Sequence, residues 1–309
     1  MKRVSKLRIC CIINSHSGTA GKASRELLIE MFAKHGVAPE IVEPDKGKSI
    51  DALAKDAVKQ DFEIIVAGGG DGTVNAVASE LVGNKDKKFG VLPLGTLNHF
   101  ARDMGMPLEI EDAVKSIVEG CVKSVDVGEV NGRIFLNNSG LGLYPDMVKV
   151  RESLQKSGYR KFPALLRASF HILVRFPRLY LELHPEPGSP LRRNAPVLFI
   201  GNNPYDTSLA QLGKRASIDK GKLWLMMPTA STRWRLLVSL FGILTNREKP
   251  DDVVTFEGED MIVASRRRRL KVAVDGEVLH LQPPLKYRIL PKALRVIVPA
   301  ATAETGAAQ

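Results

Sequence analysis

Apolar and polar positions divide the chain into two textures. From Leu7 to Glu119, short apolar runs alternate with stretches whose apolar residues recur at helical spacing. Leu7–Ile13 reads as a first strand. A polar loop at Asn14, Ser15, His16, Ser17 and Gly18 leads to a helix over Lys22–His35, which Gly36 ends. Pro39–Val42 is a second strand, Asp51–Val58 a helix and Ile64–Ala67 a strand. Gly90–Gly95 gives another strand and turn, and Ile110–Glu119 another helix. Strand and helix in alternation predict a parallel sheet covered by helices.

From Val125 onward, short β-like runs dominate, separated by Pro, Gly and Asp/Asn clusters. They are Val125–Val130, Ile134–Asn137, Leu179–His184, Val197–Asn202, Lys222–Met227, Val253–Phe256, Met261–Ala264, Leu270–Val274, Leu285–Leu290 and Leu294–Val298. Their pattern predicts a mainly antiparallel β-sandwich. Two helical segments interrupt it, Lys161–Phe176 and Thr232–Leu244, and both carry basic residues beside an apolar face. The expected layout is an α/β nucleotide-binding domain over 1–127, a β-sandwich domain over 128–298 and a disordered tail over 299–309.

The strand at Ile64–Ala67 runs into Gly68-Gly69-Gly70-Asp71-Gly72-Thr73 and then directly into helical spacing from Val74. Strand, glycine loop and helix form a phosphate cradle: glycines let backbone N–H groups approach an anion, and the helix N-terminus favours negative charge. No Lys-Ser/Thr follows the glycines, and their spacing is not Gly-x-Gly-x-x-Gly. Asp71 would repel phosphate unless it holds Mg²⁺ or pins the loop by accepting backbone N–H groups.

Other polar residues sit at strand ends. Ser17 and Gly18 can add donors after the first strand, where open α/β sheets bind ligands. Pro93–Asp103 offers Thr96 and Asn98, with Thr96 read locally as the cap of the helix carrying Phe100 and Ala101. Asp275-Gly276, between two alternating runs, reads as a hairpin turn. With Glu277 it also presents two carboxylates able to deprotonate a hydroxyl, and local reasoning does not choose between them.

Composition narrows the partners. The formal charge of +11 calls for an anionic one, and 6% aromatic residues without aromatic–basic interleaving argue against nucleic acid. No apolar run is long enough to cross a membrane, and Ile9–Ile13 is too short for a signal peptide. Cys10, Cys11 and Cys121 lack metal-type spacing and read as reduced thiols. The expected location is cytoplasmic, with peripheral contact to an anionic membrane surface. Assembly into a homo-oligomer is left open.

Three segments taken together resemble the diacylglycerol kinase catalytic family: Gly69–Asn75, Pro93-Leu94-Gly95-Thr96-x-Asn98 with Phe100-Ala101-Arg102, and Asp275-Gly276-Glu277. The resemblance runs to about residue 298. It implies a nucleotide domain, a β-sandwich and a cleft between them. It also implies an ATP- and Mg²⁺-dependent kinase that phosphorylates the hydroxyl of a lipid such as diacylglycerol. By this resemblance Gly69, Gly70, Asp71, Gly72, Thr73 and Asn75 hold the ATP phosphates, Thr96 contacts the nucleotide, and Asn14, Ser17 and Gly18 form a further ATP loop. Asp275 or Glu277 is the general base. The chain departs from the family pattern at Ser15, where Pro is usual, and at His99, where many members have Asp. Lys220 stands where the second Asp of an Asp-Asp-Gly segment helps bind a structural Mg²⁺. That second metal is therefore not expected, and the Lys220 amine is expected to take its place. The competing readings are a kinase of a soluble substrate such as NAD and a non-catalytic, membrane-associated nucleotide-binding protein.

Overall fold

The structure is a computed structural model. It describes residues 7–14, 24–45, 47–146, 148, 179–186, 189–205, 215, 217–228 and 253–300. The predicted loop at 15–18, the predicted helices at 161–176 and 232–244 and most of the predicted tail lie outside them. Strands and helices are numbered in chain order. The chain divides into two compact units, Met1–Val127 with Pro291–Gln309, and Gly128–Leu290.

In the first unit, β1 (Ile9–Ile13), β2 (Glu40–Val42), β3 (Ile64–Gly69) and β4 (Lys88–Pro93) form a parallel sheet in the order β2-β1-β3-β4. Every residue of β1 and β3 is buried, as expected for strands covered on both faces. Burial pushes the Cys10 thiol up to about 12, helped by the nearby Glu40 carboxylate, and drives Cys11 well above its ordinary value. The helices are α1 (Arg25–Ala33), α2 (Ile50–Lys59), α3 (Asp71–Leu81), α4 (His99–Asp103) and α5 (Ile110–Glu119). Ser24 and Ser49 begin α1 and α2, their hydroxyls accepting the N–H of Leu27 and Ala52. Gly90 lets α5 close on β4: a Cβ there would lie 3.4 Å from Ile117.

The second unit is a sandwich of two antiparallel sheets. One has the order β12 (Val253–Gly258), β11 (Leu223–Pro228), β10 (Val197–Asn202), β7 (Asn138–Gly142), β14 (Leu270–Val274), β15 (Glu277–Leu281). The other contains β9 (Leu191–Ala195), β8 (Leu179–Glu186), β13 (Asp260–Ala264) and the first half of β16 (Leu285–Val298). The end of β5 (Cys121–Val130) pairs with β6 (Arg133–Phe135). Leu181, Leu183, Val263 and Tyr287 from one sheet share a core with Leu141, Ile200, Leu225 and Val272 from the other. The wholly buried Tyr287 hydroxyl lies 3.0 Å from Ser139 Oγ, which donates to the Ala273 carbonyl. This pairing satisfies both polar groups inside the core.

Local pattern missed three features. β7 is a central strand, yet its sequence Asn-Ser-Gly-Leu-Gly shows no alternation. Its glycines are needed there. A Cβ on Gly140 would lie 2.3 Å from the Tyr144 ring, and one on Gly142, at φ +79°, would lie 2.1 Å from the Pro196 carbonyl. β9, Leu-Arg-Arg-Asn-Ala, is an edge strand that among the described residues pairs with β8 alone. The predicted strands at 285–290 and 294–298 are one strand, β16, with a bend at Pro291 and at Lys292, whose φ is +51°. Asp126 holds that bend by accepting the Lys292 N–H at 2.7 Å.

Candidate active site

The glycine segment leaves β3 and becomes α3 without an intervening loop. Gly70 is the N-cap residue and, as glycine, has no side chain with which to cap the helix. The first-turn amides of a helix have no intrahelical partners, so α3 presents them with the positive end of its dipole. Thr73 is buried and folds back on Gly69, where a Cβ would lie 2.5 Å from Thr73 Oγ1. Asn14, at the end of β1, donates its side-chain amide to Thr73 Oγ1 at 3.2 Å and its backbone N–H to the Gly68 carbonyl at 2.8 Å. Gly72 differs from these packed glycines. It is exposed, and a Cβ built on it meets nothing within 4 Å. The open space beside a helix start fits a phosphate group.

The Pro93–Asp103 segment presses against this loop. A Cβ on Gly95 would lie 2.4 Å from Gly70 Cα, so the two backbones touch. Asp71 Oδ1 accepts the Phe100 N–H at 3.3 Å and ties the glycine loop to α4. The helix cap expected at Thr96 falls instead to Asn98, which is buried and left-handed at φ +53°. Its Oδ1 accepts the Gly95 N–H at 2.9 Å, and its Nδ2 donates to the carbonyls of Gly95 (2.8 Å) and Pro93 (3.1 Å). Asn98 thereby organises the loop and leaves Thr96 exposed, without a side-chain hydrogen bond among the described residues. Asn75, on α3, receives the Ser79 hydroxyl at its carbonyl (2.8 Å). The structure thus brings together Asn14, Gly69, Gly70, Asp71, Gly72, Thr73, Thr96 and Asn98.

In the second unit, Asp275 and Gly276 form the two-residue turn between β14 and β15, with φ of +46° and +91°. The Asp275 carboxylate is fully engaged. Oδ2 accepts the Leu136 N–H at 2.6 Å, and Oδ1 accepts those of Asn137 (2.8 Å) and Asn138 (3.0 Å). The same segment is held by groups that local pattern did not single out. Asn202 Nδ2 and Arg215 Nη1 donate to the Leu136 carbonyl, and the Tyr205 hydroxyl donates to that of Asn137. Glu277 is exposed, and its side chain makes no hydrogen bond or ion pair among the described residues. Two carboxylates two residues apart therefore have different surroundings: one is bound into the scaffold and the other is available.

The loop around Lys220 is folded by backbone clips. Asn203, buried and left-handed at φ +70°, accepts the Lys220 N–H at 2.9 Å through Oδ1 and donates its own N–H to the Lys222 carbonyl at 2.9 Å. Asp219 Oδ1 accepts the Ser217 hydroxyl at 2.7 Å, and Lys222 pairs with Glu259. The Lys220 ammonium is exposed and has no partner among the described residues.

Residues 8–130 match the model of the diacylglycerol kinase catalytic domain. A Pseudomonas aeruginosa protein named "Probable lipid kinase YegS-like" is 30% identical over 90% of this chain and 87% of its own length. A Staphylococcus aureus diacylglycerol kinase is 28% identical over 72% of this chain and 71% of its own. The fold matches a crystal structure of a diacylglycerol kinase from Bacillus anthracis with a TM-score of 0.67 at 17% identity, covering 96% of this chain and 98% of that one. An α/β unit whose third strand ends in glycines at a helix start, an antiparallel sandwich bearing Asp-Gly-Glu, and relatives aligned along most of the sequence lead to one conclusion: the chain belongs to the diacylglycerol kinase family of lipid kinases.

Proposed function

We propose that the chain transfers the γ-phosphoryl group of ATP to the hydroxyl of diacylglycerol or a related lipid, working at an anionic membrane surface. The observation that carries the nucleotide half is the open space over Gly72 beside the start of α3. The lipid half is supported by the lipid kinase and diacylglycerol kinase relatives.

On this reading Gly69, Gly70, Gly72 and Thr73 hold the ATP phosphates through backbone N–H groups, with Asn14 keeping Thr73 in place. Ser17 and Gly18, which lie outside the described residues, are assigned to the nucleotide by the family resemblance alone, and Asn75 and Thr96 border it. Asp71 keeps the two loops in register through the Phe100 N–H and would be the carboxylate nearest the phosphates to help hold the magnesium that accompanies ATP. That ion would neutralise phosphate charge. Glu277 accepts the proton of the attacking lipid hydroxyl, because its carboxylate has no structural duty. Asp275 positions it by locking the hairpin onto Leu136–Asn138. The loop at Ser217–Lys222 offers one carboxylate beside two ammonium groups, a donor set unsuited to a divalent cation. We assign its shape to Asn203 rather than to a structural metal.

Incubating the protein with labelled ATP, a lipid extract and, in parallel, NAD tests this reading. Label is expected in a lipid resolved by mass. Label in NAD alone would overturn the lipid assignment, and failure to bind ATP would overturn the kinase assignment.

A further inference from the structure

The four consecutive arginines Arg266–Arg269 connect β13 to β14, and all four are exposed. Several exposed cations elsewhere are paired, Lys34 with Glu111, Lys48 with Asp56 and Arg288 with Glu129 among them, and those unpaired among the described residues, such as Lys55, Lys59 and Lys115, are scattered singly. None of the four arginines makes an ion pair among the described residues. The turn that displays them is ordered locally: Ser265 Oγ accepts the Arg267 N–H at 3.3 Å. The Arg266 guanidinium lies 5.4 Å from the centre of the Tyr180 ring, and Tyr180 is 39% exposed on β8. Glu182, which stands opposite Ala264 in the strand register, is already held by Arg192 at 3.2 Å. Among the described residues the corner therefore carries a block of positive charge without counter-charges, with an amphipathic aromatic at its edge.

We infer that this corner of the sandwich unit is a docking surface for anionic phospholipid headgroups. The inference rests on the reading above that the substrate is a lipid. Guanidinium forks match phosphate oxygens in pairs. A Tyr with a polar tip and an apolar body suits the level of the headgroups. A free phosphate would call for a concave site, and these side chains stand out from a turn. Single-stranded nucleic acid would call for an open aromatic face on which to stack, and Arg266 covers that of Tyr180.

The test uses the full chain in sedimentation with vesicles of phosphatidylcholine alone or mixed with phosphatidylglycerol. Binding is expected only to the mixed vesicles. Replacing Arg266→Gln, Arg267→Gln, Arg268→Gln and Arg269→Gln together should weaken it by roughly 600-fold. The expected loss is about five-fold per charge, the equivalent of about 1 kcal/mol each. A control that removes the same charge elsewhere, Lys55→Gln, Lys59→Gln, Lys85→Gln and Lys115→Gln, should bind nearly as the native chain does. Equal losses in the two variants, equal binding to both vesicle types, or tighter binding to a single-stranded oligonucleotide than to the mixed vesicles would overturn the inference. Lipid phosphorylation in neutral detergent micelles separates it from the proposed reaction. The arginine variant should keep that activity, and losing it would also overturn the docking role. A native chain that binds mixed vesicles yet phosphorylates no lipid would sink the kinase reading and leave the docking surface standing.

Discussion

Asp275 Oδ2 accepts the backbone N–H of Leu136 at 2.6 Å. With the two bonds from Asn137 and Asn138 to Oδ1, this contact commits the whole carboxylate to structure. On the proposed reading Glu277 is then the acid that takes the proton. Glu277→Gln should therefore lower kcat by roughly 10²–10⁴ while leaving the melting temperature unchanged. Asp275→Asn should lose about 2–4 kcal/mol of stability, because an amide cannot satisfy the same three donors. Denaturation and turnover measured on both variants check the division. A stable but inactive Asp275→Asn with an active Glu277→Gln would reverse it.

Two glycines of the nucleotide loops should respond oppositely to alanine. Gly72 sits in the first turn of α3 with open space where a Cβ would stand, so Gly72→Ala should keep or slightly raise stability, by up to about 1 kcal/mol. The new methyl would occupy the space assigned to phosphate, so ATP affinity should fall at least ten-fold. Gly95→Ala would place a methyl 2.4 Å from Gly70 Cα, and the expected outcome is a loss of about 1–3 kcal/mol. Calorimetric ATP titration and thermal melts distinguish these effects.

Asn98 combines a left-handed backbone with three side-chain hydrogen bonds to its own loop. Asn98→Ala should cost about 2–4 kcal/mol, and Asn98→Gly less, because glycine accepts the same backbone conformation without strain. If urea denaturation ranked the two variants in the reverse order, the hydrogen bonds and the backbone would not be the cause.

The thiols of β1 give a pH dependence. Cys10 keeps its proton in the fold up to about 12, and burial raises Cys11 as well. Above the ordinary thiol pKa the unfolded chain binds fewer protons than the folded one, so stability falls as pH rises. The stabilising contribution is fully present below about 9 and is lost on the way to 12. The slope is at most about 1.4 kcal/mol per pH unit for each thiol. Urea denaturation across this range should show a shallower loss in the Cys10→Ala, Cys11→Ala variant than in the native chain.

What the sequence made legible was local. The apolar run ending at Gly68 and the helical spacing from Val74 placed the junction of β3, glycines and α3, because both periodicities lie within one short window. Asp275-Gly276 was readable as a turn from two residues. The bonds from its carboxylate to Leu136–Asn138 were not, since only the pairing of β7 with β14 brings those segments together. β7 itself lacked a pattern: the Tyr144 ring and the Pro196 carbonyl demand glycine where alternation would place side chains. Thr96 looked like a helix cap by residue type, yet Asn98 is the residue whose amide can both accept and donate inside the loop. Pro291 suggested a break between strands, and the chain accommodates it with a bend at Lys292.

β16 has a consequence for the order in which this protein can be completed. Its last residues lie beside β4, through Val296 and Phe89, and the same stretch supplies Ala293 O to Gly83 and the Arg295 side chain to the Lys85 carbonyl. The first unit is thus closed by residues made after the entire sandwich unit. On the ribosome, the sheet that carries the glycine loop must wait with one flank of β4 unzipped until this stretch emerges. A chain stopped before Pro291 would retain every glycine of the cradle and still lack the strand that seals the sheet holding it.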